Sequence, residues 1–307
     1  MPNVLVLGSQ GRFGLAVTEA FSAAGWQVKA QSRRNAVWPS GVEDIRCDAM
    51  EASGLVEAAR GMDVVVNALN PPYTEWESHA KPLAANALAA AETAGALLMF
   101  PGNVYNFGRL LPPRLDAETP NQPDTRKGRI RIEIENEMKA AAFRKVNSIV
   151  VRAGDFFGGK GRGAWFDLIV GSIAKGKVIY PGPPDTLHAW AYLPDLAETF
   201  VRLAEIRHRL EGFRQFHFAG HAVTGRQLHR ALEYVTGRSL RLQGMPWGLI
   251  GIASPLWPMA KAVSEMRYLW QRPHALEDDL APLLRSLPET PLELALSSAL
   301  RDIGYGD

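Results

Sequence analysis

The sequence predicts an α/β fold, a doubly wound parallel sheet followed by a smaller, mostly helical C-terminal region. Three observations predict it. Short apolar runs alternate with helix-like stretches through the first half, and a glycine-rich turn joins the first such strand to the first helix. After about residue 155 that rhythm loosens.

Each element has its own reason. Val4-Leu-Val-Leu7 is a short continuous apolar run, as strands buried on both faces tend to be. Phe13, Ala16, Val17, Ala20, Phe21 and Ala24 then share one face of a helix that stops at Gly25. Further strands are predicted over Trp26–Gln31, Val42–Cys47, Asp63–Ala68 and Leu97–Phe100. Ser53 is placed to cap a short helix ending at Gly61, and an alanine-rich helix runs from His79 to Ala94. The segment from Lys127 to Lys145 reads two ways. Ile130, Ile132 and Ile134 alternate with charges as in a strand, whereas Ile130, Ile134, Met138 and Ala141 form a helical stripe. The Arg129–Glu133 and Arg131–Glu135 spacings favour helix. Strands at Ser148–Ala153 and Phe213–Phe218, and helices starting at Asp195, at Thr224 and after Pro291, complete the expectation. The first domain spans residues 1–155, its sheet completed by parts of 178–220, and residues 156–307 form the second, partly interleaved region.

Composition excludes several classes. Thirty-four Lys and Arg against 32 Asp and Glu leave a formal charge of +2, with no general pull toward nucleic acid or anionic lipid. The basic run Arg126, Lys127, Arg129, Arg131 gives way at once to Glu133, Glu135 and Glu137, unlike a nucleic-acid surface. Cys47 is the single cysteine, so no intramolecular disulfide or cysteine-built metal site is expected, and a reducing, cytoplasmic setting fits. The histidines are dispersed, and a turn separates His217 from His221, so no metal site is expected. No secretory signal is read at Met1-Pro2-Asn3. The charge-free stretch Leu242–Ala260 is broken by Pro246, Pro255 and Pro258, so no membrane span is expected.

Gly8-Ser9-Gln10-Gly11-Arg12-Phe13-Gly14 is a G-x-x-G-x-x-G turn between strand and helix. Such glycines let the backbone approach a pyrophosphate, which then meets the unpaired N–H groups of the helix start. NAD sites usually end the second strand with an acid for the ribose 2′-hydroxyl. This chain reads Gln31-Ser32-Arg33-Arg34 there, and two guanidiniums suit a 2′-phosphate, with Arg12 a possible third cation. NADP is therefore expected over NAD.

Later landmarks follow in order: Asp48-Ala49, Asn67-Ala68-Leu69, Asn86, Val104-Tyr105, Glu118-Thr119-Pro120, Arg152-Ala-Gly-Asp155 and Tyr192-Leu-Pro-Asp195-Leu-Ala197. Over nearly the whole chain this set resembles the extended and atypical short-chain dehydrogenase/reductases, including the NAD-dependent epimerase/dehydratase group. The resemblance implies a Rossmann-type nucleotide domain and a substrate-binding C-terminal region. It implies that Asp48-Ala49 meets the adenine, that Asn67, Ala68 and Leu69 run under the ribose and phosphates, and that Asn86 steadies the sheet near the active site.

The resemblance breaks at the catalytic motif. That family rests on Tyr-x-x-x-Lys, and no tyrosine of this chain has lysine four residues on. The matching segment is Lys127-Gly-Arg-Ile-Arg131, and Pro101 stands where a serine or threonine is expected. Arg131 keeps a cation for the nicotinamide ribose but cannot shuttle protons. Lys127 and Tyr105 are the candidate proton donors, each with a plain alternative as a solvated lysine and a packing tyrosine. The nicotinamide is expected near Asn103, Tyr105, Lys127 and Arg131, because ligands of open parallel sheets collect at the carboxyl edge. Trp247, Trp257, Met266, Tyr268 and Trp270 predict an apolar pocket or an oligomer surface, and a homodimer is open. Two functions follow: an NADP-dependent oxidoreductase or epimerase/dehydratase-like enzyme acting on a small carbonyl or hydroxyl substrate, or a non-catalytic NADP-binding regulator or redox sensor.

Overall fold

The computed structural model describes residues 1–161, 163–255, 257–284 and 286–305. Strand β1 (Asn3–Leu7) leads through the glycine turn into α1 (Arg12–Ala23), and β2 (Gln27–Ser32) and β3 (Val42–Arg46) follow. Helix α2 (Ala52–Ala58) puts Ser53 inside its first turn rather than at the cap. The turn Asp48–Glu51 already feeds the helix, with Asp48 accepting the N–H groups of Met50 and Glu51. After β4 (Val64–Asn67), α3 (Trp76–Ala94) begins three residues before the predicted start. Tertiary anchoring explains the extra turn: Trp76 is buried, and its indole N–H donates to the Pro71 carbonyl at 2.9 Å.

Strand β5 (Leu97–Gly102) and the short β6 (Arg114–Leu115) precede α4 (Arg126–Ala141). The helical reading of the ambiguous segment holds, since Thr125 caps the helix by accepting the Gly128 N–H and the predicted stripe Ile130, Ile134, Met138, Ala141 is buried. The i,i+4 ion pairs expected there do not form among the described residues. Glu133 binds Lys81 at 2.8 Å, and Glu135 binds Arg152 at 2.6 Å. Partners on other elements win because they also neutralise charge that packing brings close.

Strands β7 (Ser148–Arg152) and β8 (Asp155–Phe157) lead to α5 (Trp165–Val170), β9 (Lys177–Tyr180) and β10 (Leu187–Tyr192). Helix α6 (Leu193–Glu205) starts two residues before Asp195, whose carboxylate instead accepts the N–H and hydroxyl of Thr290. Strands β11 (Phe213–His217) and β12 (His221–Thr224) precede α7 (Gly225–Thr236) and β13 (Arg241–Gly244). The chain ends through α8 (Trp247–Ala253), α9 (Pro258–Glu265), β14 (Ala275–Leu276) and α10 (Leu292–Asp302).

Seven parallel strands form the main sheet in the order β11-β7-β5-β4-β1-β2-β3. Neighbouring residues of each strand enter opposite cores. Leu5, Leu7, Val65, Leu98 and Val150 face one side, while Val4, Val6, Val64, Val66, Leu97 and Ile149 face the other. The second region carries its helices together with small sheets that the sequence did not signal: β12-β10-β8, β13-β9 and β14-β6. Strand order reverses between β1 and β4, which opens a crevice at their carboxyl ends.

Beside the carboxyl ends of β7 and β11, the Glu135–Arg152 pair is sealed from water, both side chains being 3% exposed. Arg152 also lies 5.2 Å from the Phe107 ring centre. Removing one member of such a pair leaves a buried charge uncompensated. Glu135→Ala should therefore lower the unfolding free energy by about 3–5 kcal/mol in urea titrations.

Candidate active site

The crevice is lined first by the glycine turn. Gly8 has φ +74°, and a Cβ there would lie 3.0 Å from the Ala68 carbonyl oxygen. A Cβ on Gly14 would run into the Gly8 carbonyl. The turn and the end of β4 thus pass each other with no room for side chains. Gln31 locks it, because its buried side-chain carbonyl accepts the Gly8 N–H at 2.9 Å while its amide donates to Cys47 O at 2.7 Å. Ser9 donates twice to the Gln31 carbonyl. The N–H groups of Arg12 and Phe13 have no partner among the described residues, as an anion-receiving helix start requires. This cradle fits a dinucleotide pyrophosphate.

The rim of the cradle is equally ordered. Gln10 donates to the carbonyls of Arg34 and Asn35, which pins the loop after β2. The side chains of Arg33 and Arg34 are exposed and form no ion pair among the described residues. Arg12 differs from them. Its guanidinium donates to both carboxylate oxygens of Asp167 at 2.9 Å and to Gly158 O, so it binds the second region to the first. Asn67 is buried and accepts the Leu69 N–H, while Asn86 donates to Ala49 O and holds the Asp48-Ala49 turn.

Next to the cradle lies the segment that replaces the missing motif. The Arg131 guanidinium carbon lies 4.9 and 4.7 Å from the ring centres of Trp76 and Phe100, and the group donates to Pro101 O at 3.2 Å. Burial lowers its pKa, an effect that the Glu135 carboxylate partly opposes. Lys127 is buried, and its ammonium lies 2.5 Å from Glu265 Oε2 and 5.3 Å from the Tyr73 ring centre. Glu265 also accepts the backbone N–H groups of Arg126 and Lys127. Burial alone would raise the Glu265 carboxyl, but Lys127 and those two N–H groups outweigh it and hold it below its ordinary range.

Tyr105 reaches the same place from the turn after β5, where Asn103 accepts its N–H at 3.0 Å. Its hydroxyl is 2.8 Å from that of Tyr73. Burial pushes Tyr73 up to about 12, and the Asp155 charge adds to it despite the opposing Tyr105 hydrogen bond. Burial likewise raises Tyr105 well above its ordinary value. Both phenols are therefore protonated at neutral pH and act as hydrogen-bond donors. The structure brings Tyr105, Lys127 and Arg131 to one locality, as the sequence spacing required.

Sequence reasoning missed three participants. Tyr73 was findable, since it sits in the Asn70-Pro-Pro-Tyr73 loop just past the carboxyl end of β4. Glu265 was not, because it lies 138 residues from Lys127 and only folding joins them. Asp155 ends the Arg152-Ala-Gly-Asp155 landmark, yet its contact with His188 Nε2 at 2.9 Å needs the β8–β10 pairing. His188 stacks on Trp270 at 3.9 Å and touches His274 edge-on. Among the described residues no group of three or more His, Cys, Asp or Glu side chains is arranged to hold a metal.

The buried histidines give the protein a pH response. Burial, the largest cause at both, holds His217 at about 4 and His274 at about 3, aided by the Arg152 charge and by His188 respectively. Both folded values lie below the unfolded value of about 6.5, so their contribution is present above that pH and is lost as the pH falls. Asp279, raised to about 6 chiefly by burial, acts in the opposite sense, its contribution being lost as the pH rises through 6. The net expectation is roughly 2–3 kcal/mol less stability at pH 5 than at pH 7, with His274→Gln removing most of that difference, about 2 kcal/mol, in urea titrations.

Comparisons with known proteins agree with this fold. The family model described as NAD dependent epimerase/dehydratase family matches residues 4–216. No curated protein matches the sequence. A Bordetella bronchiseptica enzyme in complex with NAD+ is 13% identical, with 100% of each chain covered and a TM-score of 0.76. The dTDP-glucose 4,6-dehydratase of Streptomyces venezuelae, with NAD bound, is 14% identical, with 98% of this chain and 96% of that one covered and a TM-score of 0.74. The UDP-Glc/GlcNAc 4-epimerase of Campylobacter jejuni is 13% identical, with 98% and 99% covered and a TM-score of 0.75. At these identities the likeness speaks for the fold.

Proposed function

The chain belongs to the NAD-dependent epimerase/dehydratase family, and from that premise we propose that it is an NADP-dependent enzyme acting at a hydroxyl or carbonyl carbon of a small substrate. One observation carries this reading. The glycine cradle and the Tyr73–Tyr105–Arg131 group occupy neighbouring parts of one crevice edge, and the pairing of Lys127 with Glu265 leaves a phenol as the donor beside it.

The preference for NADP rests on the end of β2. Two of the neighbours named above hold NAD, whose 2′-hydroxyl needs an acceptor. In this chain the side chain of Gln31 is spent on the glycine turn, and Ser32 donates to Arg34 O. Arg33 and Arg34 are left as the groups that would meet a 2′-phosphate. Asp48 and Ala49 would border the adenine, and Arg131 would hold the nicotinamide ribose.

When bound, the nicotinamide accepts or supplies hydride. The protein's part is positioning and proton handling. Tyr73, the less buried of the two tyrosines, donates to the substrate oxygen, and Tyr105 orients that hydroxyl through the 2.8 Å hydrogen bond. Lys127 holds positive charge over the Tyr73 ring, where it favours negative charge building up on the neighbouring oxygen. Trp76 and Phe100 exclude water from one face of Arg131.

A second reading, a regulator that binds the cofactor without turnover, is favoured by the high pKa of both tyrosines, which leaves neither ready to accept a proton at neutral pH. Loss of NADPH absorbance across a panel of carbonyl substrates separates the two. With any substrate so found, Tyr73→Phe and Tyr105→Phe should each lower turnover roughly 10²-fold with NADPH affinity unchanged. Full activity in both variants would refute the donor assignment.

Cofactor choice is tested independently. NADPH should bind at least about tenfold tighter than NADH, and Arg33→Ala/Arg34→Ala should erase most of that gap while sparing NADH. Equal affinities in the unmodified protein would end the NADP reading.

A further inference from the structure

The α8–α9 arm stands apart from the rest of the molecule in two ways. The first is exposed apolar surface. Helix α8 buries none of its residues. Leu249 is 69% exposed, Ile252 78%, Trp257 55% and Met259 37%. These large side chains fall within the charge-free stretch Leu242–Ala260. The second is charge. From Gly237 to Leu276 the chain carries Arg238, Arg241, Lys261, Arg267 and Arg272 against one acid, Glu265, which is itself neutralised by Lys127. All five cations are exposed, and none forms an ion pair among the described residues. The whole chain, by contrast, is nearly balanced at 34 basic and 32 acidic residues.

We propose that the α8–α9 arm is an interfacial anchor that seats the protein on an anionic lipid bilayer. Apolar side chains with a tryptophan among them, bordered by unpaired cations, are what a charged headgroup layer over hydrocarbon receives. The cations supply attraction to the anionic surface, Lys261 and Arg267 from the arm itself, and the apolar tips supply the burial. Insertion is shallow. Helices α8 and α9 have seven and eight residues, and no helix among the described residues is long and apolar enough to cross a membrane. A second copy of the chain fits the patch less well. A stable dimer buries about 800 Å² on each partner, and four partly covered side chains offer on the order of half that. Lys261 on α9 and Arg267, 5.1 Å from the Trp247 ring centre on α8, would also face their own copies across a two-fold interface. A bilayer needs no shape complementarity, and its charge is opposite.

The test uses the full chain and vesicles of phosphatidylcholine, alone or with about one third phosphatidylglycerol. Sedimentation at low salt should show partition at least about tenfold higher on the anionic vesicles, and added salt should weaken it. Brominated lipid should quench tryptophan emission, and Trp257→Phe should abolish the larger part of that quenching. Leu249→Asp/Ile252→Asp should lose about tenfold or more in partition at unchanged circular dichroism and melting temperature, since both side chains already face water. Lys261→Glu should reduce binding to anionic vesicles alone. Soluble glycerol phosphate should release nothing, which separates a surface from a headgroup pocket. Absence of partition, or equal partition by the double variant, overturns the proposal. So does a vesicle-free dimer that the double variant dissolves, because the face then belongs to a second copy.

Discussion

At Gly8 the backbone of the first turn passes so close to Ala68 that a methyl group would touch the carbonyl oxygen at 3.0 Å. That approach joins β1 to β4 where the strand order reverses, and the rest of the site is arranged around it. It also explains why Gln31 is buried. Its side chain satisfies the Gly8 N–H and the Cys47 carbonyl in one span, so the turn, β2 and the end of β3 hold a single geometry. A carboxylate in that place would lack the amide that the Cys47 oxygen needs. The side chains left unspent at the β2 terminus are the two arginines that follow, both exposed.

Half-buried charge ties the second half of the chain to this frame. Arg12 on α1 grips Asp167 on α5, and Glu265 on α9 grips Lys127 and caps α4, while within the second half Asp195 on α6 accepts two hydrogen bonds from Thr290. Each contact joins residues distant in sequence, and each spends a polar group that would be available to a ligand if the segment stood alone. Arg12 shows this most clearly. Its position in the glycine turn suits a phosphate contact, yet the fold uses its guanidinium as a clamp. Lys127 shows the same trade, since the ion pair commits its ammonium to an electrostatic part.

Much of the fold was legible in the sequence. Apolar runs and glycine punctuation mark β1, β4, β5 and β7 because these strands are buried on both faces, and burial writes itself as composition. The α4 stripe was legible for a similar reason: its 3.6-residue period runs from Ile130 to Ala141, against an alternation of only five residues, Ile130 to Ile134. The small strands β8, β9, β10, β12 and β13 were not. They are three to six residues long and lean on aromatic side chains such as Phe157, Trp190 and Tyr180, whose partners lie elsewhere in the chain. The start of α3 was set by Trp76 finding a carbonyl at Pro71 and a place beside Tyr105, which no local propensity records.

By itself the sequence determined the parallel sheet, the glycine cradle and the absence of a Tyr-x-x-x-Lys motif, because each is a matter of local pattern: periodicity, φ preference and residue type at fixed spacing. Only the tertiary structure decided what the side chains at those positions are bonded to. It joined Tyr73 to Tyr105, Glu265 to Lys127, Asp155 to His188 and Glu135 to Arg152. A buried polar group takes whichever partner packing brings within about 3 Å, since leaving it unpaired costs more than any local preference supplies. Those pairings span between 17 and 138 residues of chain, so their chemistry exists only once the sheet and its overlying region have closed on each other.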